Sequence, residues 1–395
     1  MKKLIGGVCI AVAVVVVGAP ATDKGPGTYF NPTDGNVVAA VADASRVGVA
    51  KRTVAFLGGS ITEMNGFRPR LMDLLRARHP DIAFTEIAAG LSSTCSDTGA
   101  FRLDRDVLAK GMPDLLIVDA AVNDDQDGHF DLRHCIRGYE GIVRRMLLAN
   151  PRCRIVLAQM VNAHQYNQIS KGEEPIPYQA GRRVAEHYGL AVADVGTALV
   201  ASAKAGGLSW KEYRDCHPSP EGCVFGADVV LKAVASAIDF RHESAARTLP
   251  VPLDPHSYFR GRELDLRSVQ GAPAWSVVRP DWNAVPGSKR GYFTQGEVLC
   301  CSQANVPATF SFSGATLGAL LTAGPDAGDL EVSIDGGAFR RLRLRADYGS
   351  LHYPYLQMFA DDLSDGSHTV QLRIVPAKRG NATGTTVRIN RLYAN

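Results

Sequence analysis

The sequence lacks an excess of charge of either sign. Its 43 Lys and Arg residues face 40 Asp and Glu residues, which gives a formal net charge of +3. Without a strongly basic surface, we expect neither nucleic acid nor an anionic membrane among its partners. Internal repeats and low-complexity tracts are also absent, and the 46% hydrophobic and 21% charged residues are near the averages for globular chains. These features argue against long disorder, coiled coil and collagen-like fibre, and 395 residues are enough for about two to three domains.

Beyond its first segment, the sequence also lacks any long hydrophobic run. That first segment has a basic start, an apolar run over residues 4–17, and the small residues Ala19 and Ala21 of a cleavage-site pattern. We therefore predict a signal peptide at 1–21, a lead-in at 22–50 and a secreted or periplasmic protein. An uncleaved anchor is the alternative, but the apolar run is shorter than the about 20 residues that a spanning helix needs. No membrane association is expected after cleavage.

The next part of the chain, residues 51–240, alternates short apolar runs with longer amphipathic stretches. One such stretch places Phe67, Leu71 and Leu75 on the same face of a helix. This alternation predicts an α/β fold, with a parallel sheet that is covered by helices on both faces. Ligands of such sheets bind beyond the carboxyl ends of the strands. The predicted strands are residues 53–57, 82–87, 114–120, 154–160 and 190–195.

The last part of the chain changes character after a basic, proline-containing linker at residues 241–252. Residues 253–395 contain short β-like runs that are separated by turn signals such as Asp335-Gly336-Gly337. We predict an all-β sandwich there, jelly-roll-like and about the size of one domain. Its clearest predicted strands are residues 308–313, 317–321, 330–334, 368–375 and 385–392.

The first predicted strand ends in two glycines that are followed by a serine. Gly58 and Gly59 permit a tight strand-to-helix turn, which places Ser60 near the N-terminus of the next helix. Main-chain N–H groups and the positive end of the helix dipole can stabilise developing negative charge there. Ser60 is therefore a candidate nucleophile, although Gly-Gly-Ser turns are also common in ordinary loops.

A serine nucleophile needs a base, and His217 lies in a proline-bounded loop just before a helix pattern. The ordinary pKa of histidine suits proton transfer near neutral pH. Asn123 directly follows the third predicted strand, where its side-chain N–H can donate to an oxyanion. Together with Ser60, these residues would lie at one edge of the sheet.

Taken together, these blocks resemble the SGNH (GDSL-type) hydrolase family, in the branch whose serine block reads GGSIT. The matching blocks are Gly-Gly-Ser-Ile-Thr at 58–62, the stretch at 88–103, Val-Asn-Asp at 122–124 and Asp-x-His-Pro at 215–218. The resemblance covers about residues 50–240. It implies a flavodoxin-like three-layer α/β/α sandwich and ester hydrolysis through a covalent acyl-serine, with no cofactor.

By position, the resemblance makes Ser60 the nucleophile, His217 its base and Asn123 a side-chain donor to the oxyanion. Main-chain N–H groups of Ser60 and Ser93 would complete the oxyanion hole, although Ser93 stands where the family has a glycine. A main-chain donor survives that change only where the local φ suits a residue with a Cβ.

The acid that orients the base departs from the family pattern. The family commonly has it three residues before the histidine, where this chain has Arg214, while Asp215 lies two residues before His217. Either the loop is bulged and Asp215 orients the imidazole, or a Ser–His dyad is oriented by a main-chain carbonyl. We favour Asp215, because a carboxylate on the imidazole N–H fixes the tautomer and supports the imidazolium.

Other residues near these blocks are weaker candidates. Gly90 and His164 could contact substrate, and His164 could equally be a plain loop histidine. The spacing Asn123-x-Asp125-x-Asp127-Gly128 is similar to the start of a calcium loop. Its twelfth position is His134, where a bidentate Glu is needed, so no metal is predicted. Cys216 and Cys223 bracket the base and could close a short loop.

We therefore predict a secreted serine esterase that hydrolyses short-chain esters, acetyl esters first, on an acetylated oligo- or polysaccharide. Secretion and an appended sandwich favour a glycan substrate by analogy. One alternative is an SGNH-type O-acyltransferase, which would pass the acyl group to a hydroxyl of an extracellular polysaccharide. The other is a non-catalytic glycan-binding protein, in which the pairing of Ser60 with His217 would be accidental.

Overall fold

A computed structural model of the chain describes residues 50–344, 348–379 and 382–395. The predicted signal peptide at 1–21 and all but the last residue of the predicted lead-in at 22–50 lie outside the described residues. None of the helices in the described part is both long and apolar enough to cross a membrane.

The first part of the described chain forms a five-stranded parallel sheet. Its strands are β1 (Ala50–Gly58), β2 (Ile82–Gly90), β3 (Leu115–Asp119), β4 (Arg154–Gln159) and β5 (Ala191–Asp194). They pair in the flavodoxin-like order β2-β1-β3-β4-β5. β3 reads Leu-Leu-Ile-Val-Asp and is buried throughout, as expected for a strand that is covered on both faces. The predicted α/β fold is confirmed, and each observed strand overlaps a predicted one.

Helices cover both faces of this sheet. They are α1 (Ser60–Glu63), α2 (Phe67–Arg78), α3 (Ser96–Asp106), α4 (Ala121–Asn123), α5 (Leu132–Ala149), α6 (Ala163–Ser170), α7 (Ile176–Tyr188), α8 (Val195–Lys204), α9 (Trp210–Tyr213) and α10 (Pro220–Ala237). Alternate residues of β1 enter two different cores. Val54 and Phe56 pack with α2 and α10, whereas Ala55 and Leu57 pack with α3, α5 and α7. Because successive side chains of a strand point to opposite faces of the sheet, β1 contributes to the core on each side, and a three-layer arrangement results.

The second part of the described chain is antiparallel. Its strands are β6 (Arg262–Leu264), β7 (Ser276–Val278), β8 (Val298–Cys301), β9 (Ala308–Gly314), β10 (Leu317–Ala323), β11 (Asp329–Ile334), β12 (Arg340–Leu342), β13 (Tyr353–Ala360), β14 (Gly366–Val375), β15 (Ala377–Arg379), β16 (Ala382–Gly384) and β17 (Val387–Ala394). A six-stranded sheet has the order β13-β10-β17-β8-β7, with β6 paired to β17, and a four-stranded sheet has the order β12-β11-β14-β9.

β15 and β16 form a separate two-stranded sheet, and the six-stranded and four-stranded sheets enclose one apolar core. In β9, Phe310 and Phe312 are buried, while Ser311 and Ser313 between and after them are exposed, which is the period of a strand with one covered face. Side chains from β10, β11, β14 and β17 complete that core. The predicted all-β sandwich is therefore confirmed.

The outer face of the larger antiparallel sheet packs against the α/β part. Phe101 of α3 stacks on Tyr393 of β17, with ring centroids 5.1 Å apart, and on Tyr258, with centroids 5.2 Å apart. The described residues accordingly cluster as one unit. The domain boundaries predicted around the linker at 241–252 stay a prediction.

One buried carboxylate fastens the segment that joins the two parts. Glu140 of α5 accepts hydrogen bonds from the main-chain N–H of Leu253 at 2.6 Å and of Asp254 at 3.0 Å. It also accepts from the hydroxyl groups of Tyr188 and Ser257. Because each carboxylate oxygen receives two donors, the charge is buried without an unpaired lone-pair site.

We predict that Glu140→Gln lowers the free energy of unfolding by about 1–3 kcal/mol, because the amide NH2 would then face a buried main-chain N–H. Urea-induced unfolding monitored by circular dichroism measures the change. The control is Glu186→Gln on α7, which alters an exposed carboxylate paired with Arg182 and should have little effect. Equal unfolding midpoints for the two variants would show that Glu140 does not hold the connection.

Candidate active site

The carboxyl ends of β1 and β3 lie side by side, because β1 pairs with β2 on one side and with β3 on the other. Ser60 begins α1 directly after β1, and Asn123 ends α4 just after β3. A Cβ on Gly59 would lie 2.0 Å from Asn123 Oδ1, and a Cβ on Gly58 would lie 2.5 Å from Asp119 O. Both glycines are therefore needed to let the serine turn approach the neighbouring strand end.

His217 reaches Ser60 from the loop between α9 and α10. Its Nε2 lies 2.8 Å from Ser60 Oγ, and the hydroxyl donates when the imidazole is neutral. Burial lowers the pKa of His217; the charge of Asp215 opposes this shift, and Arg290 and Arg214 add to it. A neutral imidazole at this position can take the serine proton. The structure thus brings together the predicted nucleophile and the predicted base.

Asp215 has a different place from the one expected of an orienting acid. Its Oδ1 accepts from the main-chain N–H of His217 at 2.6 Å, while the ring Nδ1 faces Cys216 Sγ at 3.6 Å. The loop turns at Arg214, whose φ is +91°, a left-handed conformation that is unusual for a residue with a side chain. A carboxylate oxygen of Asp215 still lies within 4.8 Å of Cys216 Sγ and of a ring nitrogen of His217. In this geometry it acts on the ring through its charge and the loop conformation, rather than through a hydrogen bond to Nδ1.

The loop after β2 supplies Ser93, the predicted second main-chain donor. Its φ is +63°, which lies in the left-handed region that a glycine adopts without steric strain. The family has a glycine at this position. The adjacent Ser92 is fixed by Glu63 of α1, whose carboxylate accepts from the Ser92 main-chain N–H at 2.7 Å and from its hydroxyl. No hydrogen bond from the Ser93 N–H to another group is found among the described residues. The role of that N–H as an oxyanion donor stays a prediction.

Asn123 is 3% exposed and is held by its neighbours on the chain. Its Nδ2 donates to Asp127 Oδ2 at 2.7 Å. The next residue, Asp124, accepts from the main-chain N–H of Ser96 at 2.7 Å, and burial raises the pKa of Asp124 to about 7. The turn after β3 is therefore tied to the start of α3, which fixes the position of the Asn123 amide.

The two predicted substrate-contact residues have other neighbours. Gly90 packs against α1, since a Cβ there would lie 2.3 Å from Glu63 N; it gives the serine helix room. His164 is exposed, and its Nδ1 lies 3.1 Å from both carboxylate oxygens of Asp125. Neither residue contacts Ser60 or His217 by a hydrogen bond in the described part of the chain, so their substrate roles stay predictions.

The residues of the calcium-like spacing are engaged with protein groups. Asp127 accepts from Asn123, and Asp125 accepts from Asn162 Nδ2 at 2.9 Å. Asp215, Cys216 and His217 each offer a ligand atom within 4.8 Å of the others, and the Nε2 of His217 is hydrogen-bonded to Ser60. All seven described cysteines are free thiols, so the loop closure by Cys216 and Cys223 is not formed.

Sequence reasoning gave no role to Arg102, whose side chain is 1% exposed. Its guanidinium donates to Gly58 O at 2.9 Å and to Ala89 O at 2.8 Å, and it is paired with Asp106 at 2.9 Å. It therefore joins the ends of β1 and β2, which precede Ser60 and Ser93. The sequence feature that could have drawn attention to Arg102 is its place within the second sequence block, residues 88–103. The structure shows that most of the helix carrying it is buried.

The chain was compared with known protein families, curated sequences and solved structures. Residues 56–223 match the family described as GDSL-like Lipase/Acylhydrolase family. The resemblance stated from the four blocks is thus confirmed for this part of the chain. No curated protein sequence gives a significant match.

Two solved structures are similar to the chain over both of its parts. One is a two-domain esterase (CEX) active on acetylated mannans, co-crystallized with mannopentaose, with a TM-score of 0.68, 22% identity, and coverage of 88% of this chain and 91% of that chain. The other is also a structure of a two-domain esterase (CEX) active on acetylated mannans. It has a TM-score of 0.66, 21% identity, and coverage of 87% of this chain and 91% of that chain. At these identities the likeness shows a shared fold.

We predict that Asp215→Asn lowers kcat/KM for a small aryl ester by less than about tenfold above the pKa of His217, because Asn can still accept from the main-chain N–H. The acid limb of the pH profile should move to lower pH. The negative charge of Asp215 raises the pKa of His217, so its removal lowers that pKa, and neutral His217 is the active form.

The matched control is Asp239→Asn, since Asp239 Oδ1 accepts from the main-chain N–H of Arg241 at 3.0 Å in the same i to i+2 geometry. It lies beyond the 18-residue helix α10, about 27 Å along that helix from the base, and should leave the profile unchanged. A loss of about 10²- to 10⁴-fold for Asp215→Asn would instead show that the carboxylate orients the imidazole during turnover.

Proposed function

We propose that the protein is an exported serine esterase that removes acetyl groups from a carbohydrate. The observation that carries the enzymatic part is the 2.8 Å contact between Ser60 Oγ and His217 Nε2, at the sheet edge of a domain that matches a lipase and acylhydrolase family. A serine hydroxyl next to a neutral, half-buried imidazole is the arrangement that nucleophilic acyl transfer requires.

In the first half of the reaction, Ser60 Oγ bonds to the ester carbonyl carbon as its proton passes to His217 Nε2. The main-chain N–H groups of Ser60 and Ser93 and the amide of Asn123 bind the resulting oxyanion. When the tetrahedral intermediate collapses, the bond between the carbonyl carbon and the alcohol oxygen breaks. The departing alcohol takes the proton from His217, and the acyl group remains on Ser60.

In the second half, water attacks the acyl-serine while His217 takes a proton from that water. The same donors bind the second oxyanion, and its collapse breaks the bond to Ser60 Oγ, which recovers its proton from His217. The carboxylic acid leaves. Protonated His217 could not begin either half, so lowering the pKa of His217 by burial favours activity at neutral pH.

The substrate part of the proposal is supported by fold and by surface chemistry. The two-domain fold is shared with an esterase that acts on acetylated mannans. Polar groups surround the serine and the base: Arg214 and Arg290 act electrostatically on His217, and Asp127 binds the phenol of Tyr348. A sugar can form hydrogen bonds with such polar groups, whereas a long acyl chain gains binding energy only from apolar area.

Export is supported by the basic start, the apolar run at residues 4–17 and the small residues Ala19 and Ala21. Expression of the whole chain followed by N-terminal sequencing of the protein outside the cytoplasm tests this point. A mature protein that begins near residue 22 supports export, and an uncleaved protein that stays in the cytoplasm contradicts it.

We predict that kcat/KM is highest for the acetate in a series of aryl esters from acetate to octanoate, with a preference of about tenfold or more over octanoate, because each added methylene must find apolar contact. Release of acetate from acetylated mannan and xylan by the same preparation tests the glycan part. Ser60→Ala is the control for both assays, and it should lower the activity by several powers of ten.

Other outcomes separate the rival functions. Faster transfer of acetyl groups to added sugar than to water would identify an acyltransferase. Glycan binding by a protein whose Ser60 does not react with an aryl phosphonate would identify a binding protein. A preference for octanoate would contradict the carbohydrate substrate.

A further inference from the structure

A tyrosine from the β-sandwich part reaches the group that holds the oxyanion donor. The hydroxyl of Tyr348 donates to Oδ1 of Asp127. The other oxygen of that carboxylate, Oδ2, accepts from Asn123 Nδ2 at 2.7 Å. One carboxylate therefore joins the amide of Asn123 in the α/β part to the phenol of Tyr348. Tyr348 lies 221 positions after Asp127 in the sequence.

The direction in which the Asn123 amide points decides whether it can serve the reaction. A carboxylate only accepts hydrogen bonds, so the amide nitrogen must face Asp127 and the amide oxygen must point elsewhere. It points at Gly59, where an added Cβ would lie 2.0 Å from Oδ1. One N–H of Nδ2 binds Asp127, and the second N–H has no acceptor among the described residues. A flipped amide would present its oxygen, and that oxygen would repel the oxyanion.

Asp127 itself needs to be held if it is to fix the amide. It lies in the π-helical turn Asp124–Gly128 between α4 and α5 and is 7% exposed. Gln126 Nε2 contacts the same oxygen as Asn123, at 3.3 Å, whereas Tyr348 binds the opposite oxygen. A donor on each side of the carboxylate prevents its rotation about the Cβ–Cγ bond, so the oxygen facing Asn123 keeps its place.

Tyr348 is built to act as a donor. Burial and the nearby charge of Asp127 raise the pKa of its phenol, which keeps the proton on the hydroxyl throughout the working pH range. Its ring packs edge to face on Tyr353 at the start of β13, with centroids 4.9 Å apart. The ring is therefore anchored to the sandwich, and the hydroxyl extends to the α/β part.

We propose that Tyr348 is a positioning residue for the reaction: it fixes Asp127, which orients the Asn123 amide toward the oxyanion, so that the β-sandwich part completes the catalytic site. This inference rests on the proposed function. It gives the second domain a share in the chemical step that does not depend on contact with a glycan.

The test is Tyr348→Phe, assayed with an aryl acetate that carries no sugar. We expect kcat to fall about tenfold or more, less than the about 10²- to 10³-fold loss that follows removal of an oxyanion donor. KM should change less than about twofold, since the interaction is used in the transition state rather than in ground-state binding. Phenylalanine keeps the ring contact with Tyr353, and thermal unfolding of both proteins shows whether the fold is preserved.

The matched control is Tyr292→Phe. Tyr292 also belongs to the β-sandwich part and donates its hydroxyl to an aspartate of the α/β part, Asp106, at 2.7 Å. Its exposed fraction is 45%, against 41% for Tyr348. Asp106 keeps its hydrogen bonds from Arg102 and Arg105, so kcat for Tyr292→Phe should equal that of the wild type.

A double-mutant cycle with Asn123→Ala identifies the route of the effect. If Tyr348 acts through Asn123, adding Tyr348→Phe to Asn123→Ala causes no further loss of kcat. A further loss of tenfold or more in that background would contradict the inference. So would a Tyr348→Phe enzyme with wild-type kcat, or one that shows only a raised KM, which would mark a direct substrate contact.

The wild-type assay separates the two levels of the proposal. A wild-type protein without activity on any aryl ester contradicts the proposed function and this inference with it. An active wild type in which Tyr348→Phe and Tyr292→Phe behave alike contradicts the inference alone.

Discussion

The buried guanidinium of Arg102 is the interaction on which the site geometry depends. A charged group with 1% exposure is stable only where its hydrogen bonds are satisfied and its charge is paired. The charge of Arg102 is paired with Asp106, and its Nη2 donates to the carbonyl groups that end β1 and β2; its Nε is buried without a hydrogen-bond partner. Because those strand ends precede Ser60 and Ser93, one side chain joins the two segments that carry the proposed nucleophile and the proposed second main-chain donor.

The rest of the site is assembled on this frame from segments that are distant in the sequence. The flavodoxin-like strand order brings the ends of β1, β2 and β3 together, and the loop before α10 adds His217. Phe101 of α3 stacks on Tyr258 and on Tyr393, so the sandwich packs against α3. The same helix carries Arg102. Packing between the two parts and the geometry of the site therefore share one structural element.

Much of this arrangement could be predicted from the sequence, and the failures have physical causes. Buried parallel strands read as continuous apolar runs, so the sheet and the positions of Ser60 and Asn123 just after its strands followed from the pattern. The hydrogen bond of Asp215 did not follow, because it depends on the left-handed conformation of Arg214, which no residue type signals. Tyr348 was not found, since its partner lies in the other part of the chain and only the tertiary fold brings them together.

The most direct test of the account is to trap the covalent intermediate. The wild-type protein is mixed with an aryl acetate, quenched in acid within the first turnovers and digested, and the peptides are analysed by mass spectrometry. We predict one acetyl group on the peptide that contains Ser60, located on Ser60 by fragmentation. Continued turnover with no acetyl group on Ser60, or with the acetyl group on another residue, would contradict the assignment of Ser60 as the nucleophile.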